Sequence, residues 1–195
     1  RFAKYDEHLI FESMNEESDG TYDGDPNKEY YANLNQYNQI FVDTVRGTGE
    51  KNTHRWLLVP GWNTNIEYTI GDYGFEMPTD EKCSAGESRM MVSVHYYDPW
   101  DYCGIEDLKT ILWGEYGDNL IEVNGFPKMN KAKWGDESYL DDLFSRMQEK
   151  FVKNDIPVII GEYGCIDKSS AYADFAGQIQ GNRAYWDGYV AGKAA

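Results

Sequence analysis

The sequence predicts an α/β fold in which parallel strands alternate with helices. Four short apolar runs of strand length are spread along the chain, and none alternates cleanly. Near-continuous apolar strands are those buried on both faces of a parallel sheet. Between the runs lie segments with apolar residues at helical spacing, and strands alternating with helices imply right-handed crossovers. The chain has 195 residues, 41% hydrophobic and 27% charged, which suits a globular core rather than disorder.

The elements follow in order. The first strand is expected at residues 8–11, His-Leu-Ile-Phe. A helix over about 28–46 follows, because Leu34, Tyr37, Phe41 and Val45 recur on one face, and Gly47 and Gly49 end it. Residues 56–59, Trp-Leu-Leu-Val, form the second strand, and a short helix is expected within 62–73. The third strand is Met-Met-Val-Ser-Val at 90–94. The connection over 98–135 is long, and such loops are functional or carry structure of their own. Leu140, Leu143, Phe144, Met147 and Phe151 mark a helix over about 138–153, with Asp136 or Ser138 as its cap. Pro157 opens the fourth strand, 157–160, and an Ala-rich helix with Trp186 and Tyr189 spans about 171–192.

Composition excludes several function classes. With 34 acidic and 18 basic residues, net charge −16, the chain has little to neutralise nucleic-acid phosphates or an anionic membrane. No apolar run approaches the about 20 residues that span a bilayer. The 15% aromatic share exceeds what a core of this size needs, so part of it is expected to line a surface for a neutral polymer or small ligand. The N-terminus, Arg-Phe-Ala-Lys-Tyr-Asp-Glu, is no signal peptide and reads as the last turn of a helix, so the chain is expected to begin inside a longer one. Cys83, Cys103 and Cys165 show no zinc-ligand spacing; three free thiols are preferred over a Cys83–Cys103 bridge. The acidic stretch 19–25 fails the calcium-loop pattern, because position twelve is Tyr30, and reads as a flexible loop.

In parallel α/β folds the reactive groups gather just beyond the C-terminal ends of the strands. There the sequence carries Glu12-Ser-Met-Asn15-Glu16, Pro60-Gly-Trp62-Asn63, His95-Tyr-Tyr97-Asp-Pro-Trp100 and Gly161-Glu162-Tyr-Gly164. Two carboxylates are the minimal machinery of glycoside hydrolysis, one protonating the leaving oxygen and the other attacking or activating water. Trp and Tyr suit the apolar faces of sugar rings, and Asn, His and Tyr supply directional hydrogen bonds. No Ser-His-Asp set, P-loop or dinucleotide fingerprint competes.

On these residues the chain resembles glycoside hydrolase family 5, the retaining cellulases and related β-glucanases built on a (β/α)8 barrel. Residues 9–16, Leu-Ile-Phe-Glu-Ser-Met-Asn-Glu, look like the family's strand-four motif; His95-Tyr96-Tyr97 looks like strand six, and Ile160-Gly-Glu-Tyr-Gly164 like strand seven. Residues 44–49 and 58–61 look like the gut and rumen bacterial endoglucanase branch. The resemblance implies an incomplete (β/α)8 barrel of strands four to seven, one partial catalytic domain over 1–195 without strands one to three and eight. It implies Glu16 as acid/base, Glu162 as nucleophile, Asn15 on the sugar 2-hydroxyl, and His95 and Tyr97 lining the −1 subsite, with Tyr97 orienting the nucleophile. Trp62 and Trp100 are added as candidate stacking platforms on their positions.

The implied activity is an endo-acting retaining β-1,4-glucanase on cellulose or related plant β-glucans, secreted because its substrate is a polymer, with no cofactor and no metal. Retention needs carboxyl groups about 5–5.5 Å apart. The family usually has Pro after the acid/base, where this chain has Glu17; the extra carboxylate either raises the pKa of Glu16 or faces solvent. The alternative is an inactive half-barrel or glycan-binding relative that needs the missing segments. An open half-barrel exposes sheet edges and is expected to self-associate or pair with its missing part. A binding protein without hydrolase ancestry leaves the strand-end glutamates unexplained. Taken alone, His8 and His54 read as structural or exposed, and Glu12, within its strand, as structural and buried against a partner. Trp113 and Trp134 read as packing for the long loop, and Trp186 as core.

Overall fold

A computed structural model describes residues 1–20, 24–106 and 108–195. Four strands, β1 (Phe11–Glu12), β2 (Leu57–Asn65), β3 (Met90–Tyr96) and β4 (Val158–Tyr163), form one sheet in the order β1-β2-β3-β4. The pairs β1–β2 and β2–β3 are parallel, with Phe11 opposite Leu57 and Leu57 opposite Met90; the amide of Val92 donates to the Pro157 carbonyl at the start of β4. Among the described residues six α-helices accompany them: α1 (Lys28–Gly47), α2 (Ile66–Ile70), α3 (Trp100–Cys103), α4 (Gly114–Asn124), α5 (Glu137–Lys150) and α6 (Ala176–Ala194). The predicted order of strands and helices is found, with α3 and α4 added inside the long connection.

The chain divides into two compact units, Arg1–His95 with Arg146–Gly161, and Tyr96–Ser145 with Glu162–Ala195. The first has a core of Val42, Val45, Leu57, Val59 and Met90, with Phe11, Phe41 and Met77 packed on it. The second is built on Ile111, Leu112, Leu120, Phe126 and Ile179. All seven residues of β3 are buried, which explains the near-continuous apolar run at its start.

Several boundaries differ from the sequence reading, each for a physical reason. The first strand is two residues and begins at Phe11. Arg55, almost fully buried, takes the carbonyls of Phe2, Tyr5, Asp6 and Leu9, so within the expected strand the Leu9 carbonyl is satisfied by a guanidinium instead. The N-terminal residues form turns, with the Tyr5 amide on the Phe2 carbonyl, rather than the end of a helix. Helix α1 has nearly the expected bounds, capped by Asn27 on the Tyr30 amide. Its buried face is rotated, however: Tyr31, Leu34, Asn38, Val42, Val45 and Arg46 are buried, and Tyr37 is 54% exposed. Asn38 is accommodated because its Nδ2 donates to the Pro60 carbonyl and its Oδ1 accepts from the Ser13 hydroxyl.

Strand β2 runs six residues beyond the apolar core of its motif, through Pro-Gly-Trp-Asn-Thr-Asn. Pro60 pairs with Ser93 and Asn65 with His95, so residues 61–64 face the single Val94 in a bulge. Gly61 is required there: a Cβ would lie 2.2 Å from the Thr69 hydroxyl and 3.1 Å from its backbone. The short helix expected over 62–73 is confined to Ile66–Ile70, because it starts only after Asn65, whose side chain caps the Tyr68 amide.

Asp136 caps α5 by accepting from the amides of Ser138 and Tyr139. The long connection contains α3, α4 and a 3-10 turn. The last helix starts at Ala176, after two 3-10 turns from Ser169. Cys83, Cys103 and Cys165 are all free, and burial holds the Cys165 thiol up to about 12. In the expected loop over 19–25, residues 21–23 lie outside the described residues.

Candidate active site

In the first unit, the end of β1 delivers Asn15 and Glu16. Glu16 Oε1 lies 2.9 Å from His95 Nδ1, and the His95 side chain is 5% exposed against 37% for Glu16. His95 is not beyond its strand but within β3, where the buried ladder holds its ring. Glu16 has φ 51°, a left-handed conformation unusual for a residue with a side chain. Two hydrogen bonds hold this turn: the Glu16 amide donates to Thr64 Oγ1 at 3.0 Å, and the Asn63 amide donates to the Glu17 carbonyl at 2.9 Å. Asn15 and Glu17 are exposed.

Trp62 lies in β2 and is 9% exposed, with Tyr30 stacked on it at 4.8 Å and 8°. Beside it lies a small cleft lined by Ser18, Asp25, Asn63 and Tyr68 among others. Asn63 Oδ1 is buried there without a hydrogen-bond partner among the described residues. Deeper in the sheet, the Ser93 hydroxyl donates to Glu12, which is exposed and partnered rather than buried. His8 is exposed beside Asp6, and His54 is half-buried on Thr53.

In the second unit, Glu162 is the penultimate residue of β4, and the Tyr97 hydroxyl donates to its Oε2 at 2.9 Å. Trp100 opens α3, is 54% exposed, and meets the Tyr97 ring edge-on at 6.1 Å. Gly104 makes room for it, since a Cβ there would sit 2.3 Å from the indole. Trp186 is fully buried, stacked on Tyr96 at 5.8 Å, with its Nε1 on the Asp98 carbonyl. Trp113 is fully buried and donates to the Gly135 carbonyl, whereas Trp134 is exposed against Tyr139.

The first unit therefore brings Glu16 and His95 together, with Asn15 beside them and Trp62 turned against Tyr30. The second brings Glu162, Tyr97 and Trp100 together. A carboxyl facing an imidazole nitrogen is suited to holding or passing a proton. A carboxylate accepting from a phenol is held in one rotation with its charge supported. Sequence reading does not single out Thr64. Its one signal is the polar triplet Asn63-Thr64-Asn65 directly after an apolar strand.

The family model described as Cellulase (glycosyl hydrolase family 5) matches residues 1–192. The chain is 53% identical over 174 residues to Endoglucanase A of Paenibacillus barcinonensis, covering 87% of this chain and 41% of that protein. A family 5 xyloglucanase from Paenibacillus pabuli, solved in complex with ligand, superposes with TM-score 0.87 at 48% identity, over 99% of this chain and 51% of the other. A Bacteroides ovatus family 5 xyloglucanase in complex with a XXXG heptasaccharide gives TM-score 0.83 at 29% identity, over 98% and 39%. The chain thus spans about half the length of the relatives it matches, or less. Its four parallel strands and their helices are part of a (β/α)8 barrel, and the chain belongs to glycoside hydrolase family 5.

Proposed function

We propose that this chain forms the reacting part of an endo-acting, retaining β-glucanase that cleaves β-1,4-glucosidic bonds in cellulose or related plant β-glucans. The observation that supports it best is that each of two strand-end glutamates has a different partner, His95 on Glu16 and Tyr97 on Glu162. Such unlike surroundings are what two carboxyls need to act in opposite roles.

In this mechanism the Glu162 carboxylate attacks the anomeric carbon while the glycosidic C–O bond breaks and the Glu16 proton passes to the leaving oxygen. Water then attacks the same carbon and gives its proton to Glu16. The bond to Glu162 breaks, its carboxylate is restored, and the configuration is retained. His95 orients the Glu16 carboxyl, and Tyr97 fixes the rotation of Glu162. Asn15 is assigned to the sugar 2-hydroxyl. The exposed ring of Trp100 suits the apolar face of a glucosyl unit, and Trp62 acts as a wall of its cleft, where Asn63 Oδ1 can accept from a hydroxyl. The chemistry calls for neither metal nor cofactor, and a polymeric substrate places the enzyme outside the cell.

The test is hydrolysis of carboxymethyl cellulose, mixed-linkage glucan and xyloglucan, read as viscosity and as reducing ends. An endo enzyme lowers viscosity well before reducing ends accumulate. Glu162→Gln is expected to abolish turnover, and Glu16→Gln to lower kcat by about 10²–10⁴-fold; normal turnover in the Glu162 variant would sink the nucleophile assignment. A second reading, a glycan-binding half-barrel that needs further segments for turnover, is favoured by the 41% and 51% coverage of the relatives. Saturable binding of oligosaccharide to these 195 residues with no hydrolysis would support it.

A further inference from the structure

We propose that Thr64 is the positioning residue of the acid/base, acting through the main chain of Glu16. The inference rests on the reading of Glu16 given above. A left-handed glutamate is held in place only if its surroundings over-determine it. Here they do so from one place, the β2 bulge. The Thr64 hydroxyl accepts the Glu16 amide at 3.0 Å, and the Asn63 amide donates to the Glu17 carbonyl at 2.9 Å. The bulge residues are themselves left-handed, with φ 53° at Asn63 and 50° at Thr64. That is costly for a β-branched residue and points to a geometry kept for its effect.

Thr64 is fully buried, so water does not stand in readily for its hydroxyl. The next residue, Asn65, is in register with His95, whose Nδ1 meets Glu16 Oε1 at 2.9 Å. One bulge therefore sets both members of the pair: Glu16 through the Thr64 hydroxyl, and His95 through its pairing with Asn65. Without the acceptor, the Glu16 backbone relaxes toward an ordinary φ and its carboxyl moves off His95. Protonation of the leaving oxygen then slows more than substrate binding weakens. Thr64 touches no reacting atom, so its role is position rather than chemistry.

The experiment compares Thr64→Val, which keeps shape but loses the acceptor, with Thr64→Ser, which keeps it, and with Glu16→Gln, all in the complete polypeptide. Two substrates are used: a cello-oligosaccharide, whose leaving group needs a proton, and a 2,4-dinitrophenyl β-cellobioside, whose leaving group does not. For Thr64→Val, kcat on the oligosaccharide is expected to fall about tenfold or more, with KM within about twofold. Release of dinitrophenol in the first turnover stays near wild type, and Thr64→Ser restores most of the loss. Equal losses on both substrates, or an undiminished oligosaccharide kcat, would overturn the proposal. Glu16→Gln separates the two ideas: if it keeps full oligosaccharide activity, the acid/base reading falls and takes the positioning role with it. If Glu16→Gln shows the selective loss and Thr64→Val does not, only the positioning role falls.

Discussion

Arg46 and Arg55 are nearly inaccessible to solvent, and each is satisfied in a different way. Arg46 Nε and Nη2 bind the two oxygens of Asp80 at 2.8 Å, while Nη1 reaches the carbonyls of Asn52 and Arg55. Both side chains of the pair are dry, at 0% and 1% exposure. Forming such a pair gains little net stability, because desolvation offsets attraction, but breaking it leaves a buried charge unmatched. Asp80→Ala is therefore expected to cost about 3–5 kcal/mol in urea unfolding, whereas Glu149→Ala, at the exposed bridge with Lys153, should change stability by about 0.5 kcal/mol or less. A loss under about 1 kcal/mol at Asp80 would mean that the guanidinium finds water. Nothing in the sequence announces this pair. An arginine in a helix counts as surface in any periodicity argument, and its partner lies 34 residues away. The positions of Glu16, His95, Tyr97 and Glu162 at or near the strand ends were legible, because apolar runs end where polar residues begin. Their hydrogen bonds were not, since they join residues 79 and 65 positions apart.

Among the elements, α1 was legible in its bounds because local chemistry sets them, with Asn27 capping one end, Gly47 closing the other and Gly49 following it. Its buried face was not, because Asn38 and Arg46 become interior residues only through partners supplied by other elements. The bulge in β2 was also hidden. Asn tolerates a left-handed backbone, but a threonine there contradicts its own preference, so no propensity argument would place it. Helix α5 allows a test of local chemistry alone. The Ser138 hydroxyl, and then the amides of Tyr139 and Ser138, hold the Asp136 carboxyl below its usual value of 3.8, against a smaller opposing effect of burial. A depressed carboxyl stabilises the fold fully above its unfolded pKa. That contribution fades as pH falls below about 4 and through the lower folded value. Asp136→Ala is expected to lower stability at pH 7 by about 1 kcal/mol, as for other N-cap losses, and the difference from wild type should shrink in urea melts near pH 3. A pH-independent difference would show that the cap acts through shape, not charge.

At the scale of the molecule, the α/β class was legible because each strand begins in a short apolar run and the helical segments fall between them. The division into two units with separate cores was not, because both draw on segments from distant parts of the chain. The sheet has β1 and β4 as its outer strands, and outer strands are templates for pairing. The 195-residue chain by itself is expected to form species heavier than 22.5 kDa in sedimentation velocity at roughly micromolar concentrations and above. A sharp monomer boundary throughout that range would count against this. The net charge of −16 opposes such association, and raising the salt should strengthen it by screening that repulsion. The grip of Thr64 on the Glu16 amide carries a consequence on the scale of time. That amide belongs to a half-exposed loop residue, yet its proton sits on the hydroxyl of a residue sealed inside the sheet. It trades with deuterium only when the bulge opens. The backbone beneath a carboxyl that faces the outside thus keeps the slow exchange clock of the interior.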